Sequence, residues 1–461
     1  MAKKSLANGK HLAKGKGMYF LSLTVENTRC FGAAQTLDLA AGEKHPARWT
    51  ILLGNNGTGK TTLLRLLAGF DQANVFSGND LIIYWPRHIK FDSESSVDPE
   101  LIRSSAKRAT CSARIVASSV LAESSSDASI HLAEITYTTD GVQAYSSQSL
   151  TDAEVQLHDE VDSGMYGYGA SRRLGTISFT ERNDDDPTGS LYTDRFELRN
   201  AEEWLLRLDY SASKPSNIQA RQKERLAQVC RLLVEILPEV EEIRFTSPET
   251  ANPTPRAEFK TPDGWVPLSG LGYGYQSLIA WVLDLASRMV ERHPDSPNPL
   301  AEPAVVLVDE IDLHLHPTWQ RTLIGFLTER FPNTQFIATA HSPLVVQAAE
   351  GANLAVLRRE GDHVVIDNDV DSIRGWRVDQ ILTSDLFGLP TARPPQYDDI
   401  MKRRAALASK AKLTRAEQAE LKRLDEQVGE MPAGETATMA KELKAIQETL
   451  KLLEERGKAT K

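Results

Sequence analysis

Apolar positions recur along this chain in two rhythms, and the order in which they alternate sets the expected architecture. From Tyr19 to Leu39 the spacing of Phe20, Leu21, Leu23 and Val25, then Phe31 and Leu37 to Leu39, is that of a hairpin turning around Asn27 to Gly32. Trp49 to Leu53 is a compact apolar run suited to a buried strand, with the hairpin expected beside it. Leu63, Leu64, Leu66 and Leu67 follow at helical spacing. Much later the same vocabulary returns. Leu278, Ile279, Trp281, Val282 and Leu285 mark a helix, Ala304 to Val308 a buried strand, Trp319 to Phe331 a helix, and Thr334 to Ala340 another strand. Strands alternating with helices predict an α/β fold with a sheet flanked by helices.

The middle and the end of the chain read differently. Ile82 to Trp85, Ile115 to Leu121 and Ile130 to Tyr137 alternate like strands, interrupted by a serine-rich tract at Ser93, Ser95, Ser96, Ser104 and Ser105. Helical spacing returns over Ala201 to Leu208 and Gln219 to Leu237, where Leu226, Val229, Leu232, Leu233 and Ile236 form one stripe. Two short alternating runs from Leu354 to Ile366 predict a hairpin around Glu360-Gly361-Asp362. Thr414 and Glu417 form a capping box before Leu421, Leu424 and Val428. After a break at Gly429 to Gly434, Met439, Leu443, Ile446, Leu450 and Leu453 alternate by four and three. The expected division is therefore a basic tail over 1–18, a first lobe over 19–90, a long insertion with a helical arm over 91–265, a second lobe over 266–390, and a helical hairpin over 391–461. That hairpin either packs on its own core or docks a second subunit or another protein.

Composition narrows the classes. At 461 residues and 41% hydrophobic, the chain can bury a sizeable core. No window approaches a membrane span, and the start Met-Ala-Lys-Lys lacks the apolar run of a signal peptide, so a cytoplasmic protein with no membrane partner is expected. Cys30, Cys111 and Cys230 share no metal-ligand spacing and are read as reduced thiols. A net charge of −10 argues against a surface generally coated with nucleic acid, although Lys3, Lys4, Lys10, Lys14 and Lys16 leave a local contact open.

Chemistry concentrates where strands end. Gly54-Asn55-Asn56-Gly57-Thr58-Gly59-Lys60-Thr61 fits G-x-x-x-x-G-K-[ST] without a mismatch, between a strand and a helix. Its glycines let successive amides turn toward a triphosphate at a helix start, with Thr62 in the same turn. Lys60 would neutralise β- and γ-phosphate charge, and the Thr61 hydroxyl would hold Mg2+. Asp309 at the end of the strand Ala304 to Val308 would help hold that ion, and Glu310 would polarise the attacking water. His341, after the next strand, can reach a γ-phosphate or its water. Leu271-Gly272-Tyr273-Gly274-Tyr275-Gln276-Ser277 is a glycine turn feeding a helix, a second anion site in principle. Arg29 is either a nucleotide contact or a surface charge, and Arg172 or Arg173 either reaches phosphate or faces water. For His314 and His316, packing near a subunit interface is preferred over metal binding. Asp184-Asp185-Asp186-Pro187 reads as a solvated turn, and Asp367 to Asp371 lacks the glycine and glutamate of a calcium loop.

Taken together, Gly54 to Thr61, Leu271 to Ser277, Asp309-Glu310 and His341 resemble the ABC-type P-loop ATPase heads of the SMC-like and OLD-like group. Asp309-Glu310-Ile311-Asp312-Leu313-His314-Leu315-His316-Pro317 resembles this group more than transporter ATPases. Tyr168-Gly169-Ala170-Ser171-Arg172 and the segment Asp379 to Pro390 resemble Septu-type antiphage ATPases, including those attached to retrons. The resemblance covers roughly residues 19 to 430. It implies a mixed sheet flanked by helices, ATP and Mg2+ as ligands, and a head-to-tail homodimer or higher oligomer. In such a dimer the turn around Gly272 and Gly274 of one copy completes the phosphate site of the other. It also implies an HNH-type nuclease partner and defence against phage. Gly272 stands where most relatives carry a serine, which would leave backbone amides to make that contact and slow hydrolysis. The family's magnesium-coordinating glutamine falls on Gln143, Gln148 or Gln156 with no deciding pattern. A DNA-binding repair or chromosome-maintenance ATPase is the competing function, and a transporter motor is disfavoured by the Asp-Leu-His-Leu-His-Pro segment.

Overall fold

The computed structural model describes residues 16–70, 73–77, 80–84, 102–118, 129–138, 141–149, 161–162, 164–178, 186–248, 254–370, 373, 375–410 and 412–429. The basic tail before Lys16, Ser93 to Ser96, Asp184-Asp185, Gln156 and the repeat Met439 to Leu453 lie outside these residues. The chain divides after Ile381 into two compact units, each treated separately below.

The first unit opens with strands β1 (Lys16–Glu26), β2 (Gln35–Asp38), β3 (Ala40–Gly42), β4 (His45–Pro46) and β5 (Trp49–Gly54), then helix α1 (Lys60–Ala68). Strands β6 (Ala73–Ser77), β7 (Asp80–Tyr84), β8 (Arg108–Ser118), β9 (Ser129–Thr138), β10 (Gly141–Ser149), β11 (Val161–Asp162) and β12 (Met165–Tyr168) follow. Helices α2 (Ala201–Ser213) and α3 (Gln219–Ile236) precede strands β13 (Glu242–Phe245), β14 (Ala257–Thr261) and β15 (Gly264–Pro267). Helix α4 (Tyr273–Arg292) leads to β16 (Ala304–Val308), α5 (Pro317–Gln320), α6 (Leu323–Arg330), β17 (Thr334–Thr339) and α7 (Pro343–Ala348). The unit closes with β18 (Asn353–Glu360), β19 (His363–Asp367) and α8, which runs Val378–Thr383 across the division.

The central sheet has the order β12-β16-β17-β5-β18-β19. All its neighbours pair in parallel except β18 with β19, the expected hairpin around Gly361. This is the mixed sheet of an α/β phosphate-loop fold. β16 is buried at all five positions and β17 at all six, which is why both read as near-continuous apolar runs.

The hairpin of β1 and β2 forms, with Ser22 opposite Asp38 and Val25 opposite Gln35. It does not lie beside β5, as its position in the sequence suggests. β5 is flanked by β17 and β18, while β1 belongs to a second, mainly antiparallel sheet with β8, β9 and β10. β1 pairs with β8 from Gly17 to Glu26, so its hydrogen-bonding edges are satisfied there rather than at the central sheet. The segment expected as an insertion over 91–265 therefore supplies strands to both sheets: β8 to β10 extend the second, and β12 edges the central one. Periodicity detects a strand but not its partner, and these partners lie far away in the chain.

Helix α1 bridges the sheets. Leu63, Leu64 and Leu67 are fully buried in a cluster with Phe20 and Leu23 of β1 and Leu307 and Ile337 of the central sheet. A polar clasp reinforces this contact: the Gln335 amide accepts from Phe20 N–H at 2.8 Å and donates to Phe20 C=O at 2.8 Å. Both polar ends of a fully buried glutamine are thereby satisfied. The span expected as one helix from Trp319 to Phe331 is two, α5 and α6.

On the other side, α4 carries a buried ionic network. Asp284 accepts from Arg288 Nε at 2.6 Å, from the Tyr168 hydroxyl at 3.0 Å and from Arg199 N–H at 3.0 Å. Tyr168 also packs on Trp281 with ring centroids 5.5 Å apart. The helical arm of α2 and α3 is thus tied to α4 through Arg199, whose guanidinium reaches Ser287 and Glu291.

In the second unit, α9 (Asp398–Ala408) and α10 (Arg415–Gly429) form the helical pair. Arg403 makes a two-pronged contact with Glu420, and Arg404 meets Asp425 at 2.6 Å. The capping box forms, since Thr414 N–H donates to Glu417 at 2.9 Å and Glu417 N–H donates to the Thr414 hydroxyl at 3.3 Å. The partner of α10 among the described residues is the helix before it.

Removing a charge from a buried pair costs about 3–5 kcal/mol. Asp284→Ala should lower the urea midpoint accordingly, with a native-like midpoint counting against a structural role for the network. The Glu417 carboxyl is pulled down to about 2, first by its bond to Lys410 and then by Thr414. Its folded value lies below its unfolded one, so it stabilises α10 above the usual glutamate range and loses that contribution as pH falls toward 2. Protection of the amides at the start of α10, measured against their intrinsic exchange rate at each pH, should fall across that window in the native chain, and Glu417→Gln should flatten the dependence.

Candidate functional site

Three strands of the central sheet end at one edge, and each delivers polar groups there. β5 ends in the glycine loop. Gly54 has φ +140, and a Cβ there would meet Leu357 C=O at 2.5 Å. Gly59 has φ +90, and a Cβ there would meet Cys30 Sγ at 2.6 Å and the Phe31 ring at 2.9 Å. Only glycine permits both the dihedral angle and the approach. Gly59 also caps α1 with no side-chain bond, which leaves the first amides of a nine-residue helix to face an anion.

Lys60 folds back into the loop. Its ammonium donates to Gly54 C=O at 2.7 Å and Asn55 C=O at 3.0 Å. Burial lowers its pKa, and the charges of Asp309, Glu310 and Asp312 push the other way. The Thr61 hydroxyl donates to Asp309 Oδ2 at 2.7 Å. Residues 61 and 309, far apart in sequence, thus form one pair of hard oxygen donors. Such a set suits Mg2+, which commonly takes one or two protein oxygens and fills the rest of its shell with water and phosphate.

β17 lies between β5 and β16, and its last residue joins them. The Thr339 hydroxyl donates to Asp309 Oδ1 at 2.6 Å and accepts from Glu310 N–H at 2.6 Å. Nothing in the local sequence pattern marks Thr339 beyond its place at a strand end two residues before His341. Glu310 has φ +48, a left-handed backbone that is sparsely populated outside glycine. His341 is exposed, and its N–H donates to the Asp312 carboxylate at 3.1 and 3.2 Å.

These groups surround a cavity of about 360 Å3. Its walls include Asn56, Gly57, Gly59, Lys60, Thr61 and Thr62 from the loop and α1, Asp309, Glu310 and His341 from the strand ends, and Arg29 with Cys30. Arg29 therefore reaches the cavity, from a turn where it too is left-handed, at φ +47. Gly54, Asn55 and Thr58 shape the loop from behind; the Thr58 hydroxyl donates to Asn55 C=O at 2.8 Å. The Cys30 thiol is pushed up by burial, which keeps it protonated. A larger cavity, about 540 Å3, lies beside the start of β18, but Asp38 and Glu350 are in its lining and, among the described residues, no lysine or arginine is.

The turn around Gly272 and Gly274 stands apart from this cavity. Gly272 caps α4, and Gly274 touches the 314–316 segment so closely that a Cβ would meet His314 C=O at 2.5 Å. Tyr273, 61% exposed, sits edge-on to His314 at 4.8 Å, and Tyr275 edge-on to Trp319 at 4.5 Å. His316 Nδ1 pairs with Thr318 at 3.1 Å and caps α5. Asp186 caps a turn through Thr188. Asn368 binds Thr36 and Asp38 instead of shaping a calcium loop. Gln143 and Gln148 lie on β10, the outer strand of the second sheet, and their side chains are outside the described residues.

The two arginines part company. Arg173 is exposed, whereas Arg172 is buried and its Nη2 donates to Asp309 C=O at 3.2 Å and to Glu310 C=O. Burial pulls the Arg172 pKa down to about 10, so it stays cationic at neutral pH beside Asp309, Asp312 and Glu310.

A family model described as "AAA domain, putative AbiEii toxin, Type IV TA system" matches residues 172–347. The chain is 44% identical over 92 residues to "Retron Vc95 probable ATPase" of Vibrio cholerae, covering 20% of this chain and 18% of that protein. It is 35% identical over 162 residues to "Septu protein PtuA" of Bacillus mycoides, covering 35% of this chain and 22% of that protein. The chain thus spans about a fifth of the length of these relatives. Among solved structures, an SMC head bound to the C-terminal winged-helix domain of ScpA superposes with a TM-score of 0.45 at 13% identity, over 76% of this chain and 97% of that one. RecF with ATP gives a TM-score of 0.39 at 14% identity, over 78% and 100%.

Thr339→Val keeps the side-chain shape but removes the hydroxyl shared by Asp309 and Glu310, leaving buried polar groups unmet at a cost of about 1–3 kcal/mol. A denaturation midpoint lowered by Val and retained by Thr339→Ser is expected. Equal midpoints would show that the hydroxyl bridge is not structural.

Proposed function

We propose that this chain binds and hydrolyses ATP, and that the bound nucleotide acts as a dimerisation switch controlling a partner nuclease. The observation that carries the reading is the bond from Thr61 to Asp309, which joins the phosphate loop to the end of β16 beside Lys60 and the open start of α1. In this reading Lys60 exchanges its loop carbonyls for β- and γ-phosphate oxygens, and the amides of Gly57 to Thr62 cradle the same groups. Thr61 and Asp309 would hold Mg2+, which neutralises charge on the triphosphate. Glu310 orients the attacking water and takes its proton, and water cleaves ATP to ADP and phosphate. His341 and Arg29, both in the cavity wall, would contact the γ-phosphate or its water and the nucleotide respectively.

The surface made by Gly272, Tyr273, Gly274 and His314 lies outside the cavity, which supports its use by a second copy. Gly272 has no hydroxyl to offer a γ-phosphate, so the start of α4 would contribute amides alone. Slow hydrolysis and a long-lived ATP state follow. Similarity to Septu protein PtuA and to retron ATPases supports an antiphage role with a partner protein, and the partner in this reading is an HNH-type nuclease.

Lys60→Ala should abolish ATP binding measured by calorimetry. Glu310→Gln should bind ATP normally, lose about 10²–10⁴-fold in turnover, and accumulate as an ATP-bound dimer in light scattering. Unchanged turnover in Glu310→Gln, or a monomer at saturating ATP, would overturn the switch.

A further inference from the structure

Arg172 is the buried cation whose contacts reach the candidate site from behind. Its guanidinium is not among the groups lining the cavity; it meets the main chain of the turn that carries Asp309 and Glu310. That turn needs support, because Glu310 holds φ +48, an uphill conformation for a residue with a Cβ. Its N–H is held by Thr339 and its C=O by Arg172, so the peptide groups on both sides of Glu310 are pinned. We propose that Arg172 is a positioning residue for Glu310, fixing the backbone from which the carboxylate reaches the water.

The loop carrying Arg172 is itself anchored. Tyr168, at the end of β12, accepts Asp309 N–H at its carbonyl at 2.7 Å and donates its hydroxyl to Asp284. Gly169 N–H donates to the Ser190 hydroxyl at 3.2 Å, and a Cβ on Gly169 would meet Ser190 C=O at 2.1 Å. The chain from β12 to Arg172 is thereby fixed to α4 and to the segment around Ser190. Arg173, the next residue, faces water. Burying Arg172 beside three carboxylates, where a solvated arginine was one residue away, is costly unless the guanidinium holds something.

The proposal rests on Glu310 as the base, and a double-mutant cycle separates the two claims. In the full chain, ATP affinity and steady-state turnover are measured for Arg172→Ala, Arg172→Lys, Glu310→Gln and the double variant Arg172→Ala with Glu310→Gln. Misplacing a catalytic group by about an ångström costs about 10²-fold, so Arg172→Ala should lose about that much in kcat while its Kd for ATP changes little. Arg172→Lys keeps the charge but not the planar fork and should fall between; it carries the test if the alanine variant does not fold. The double variant should turn over no more slowly than Glu310→Gln alone. Normal kcat in both Arg172 variants, or a further loss in the double variant of similar size, would overturn the proposal, the latter pointing to direct charge on the phosphates. Normal turnover in Glu310→Gln would overturn the base assignment, a result distinct from either.

Discussion

Parallel pairing brings the carboxyl ends of β16, β17 and β5 to one edge of the central sheet, and with them Asp309, Thr339 and the glycine loop. The register is what matters: Thr339 pairs opposite Leu52, and Val308 opposite Ala338. A slip of one residue would turn Thr339 away from Asp309, because successive side chains on a strand point to opposite faces. The apolar character of these strands, buried throughout, makes such a slip costly. Core packing and site geometry are therefore one constraint here.

Around that edge, charges are arranged to be mutually tolerable. Asp309, Glu310 and Asp312 crowd within a few residues, and Lys60 and Arg172 approach them from opposite directions. The ammonium comes from the cavity side through the loop, and the guanidinium from behind through main-chain carbonyls. Hydroxyls of Thr61 and Thr339 occupy both oxygens of Asp309. Lys60 already bonds Gly54 C=O and Asn55 C=O, and Thr61 already bonds Asp309, so nucleotide binding must exchange these bonds as well as add new ones at the start of α1.

The second sheet and α4 serve as the frame. Gln335 clasps β1 to β17 from one side, and the Asp284 network ties α4 to the end of β12 from the other. Both are buried polar contacts between elements distant in sequence. Gln335 lies on β17, the strand that ends in Thr339, and Tyr168 on β12, the strand beside β16, which is how packing outside the cavity can matter inside it.

The candidate chemistry was largely legible in the chain itself: the glycine loop, Lys60, Thr61, Asp309, Glu310 and His341 stand at strand ends, and strand ends can be read from local periodicity. The hairpins of β1 with β2 and β18 with β19 and the capping box at Thr414 were legible for the same reason, since each is a local pattern. What only the tertiary structure decided depends on pairing across distance. β1 proved to belong with β8 rather than β5, the presumed insertion proved to supply β12, Thr339 became the bridge between two strand ends, and Arg172 rather than Arg173 was drawn inward. Period and spacing report which way a side chain can point; which strand lies next to it is set by long-range contacts that no local window contains.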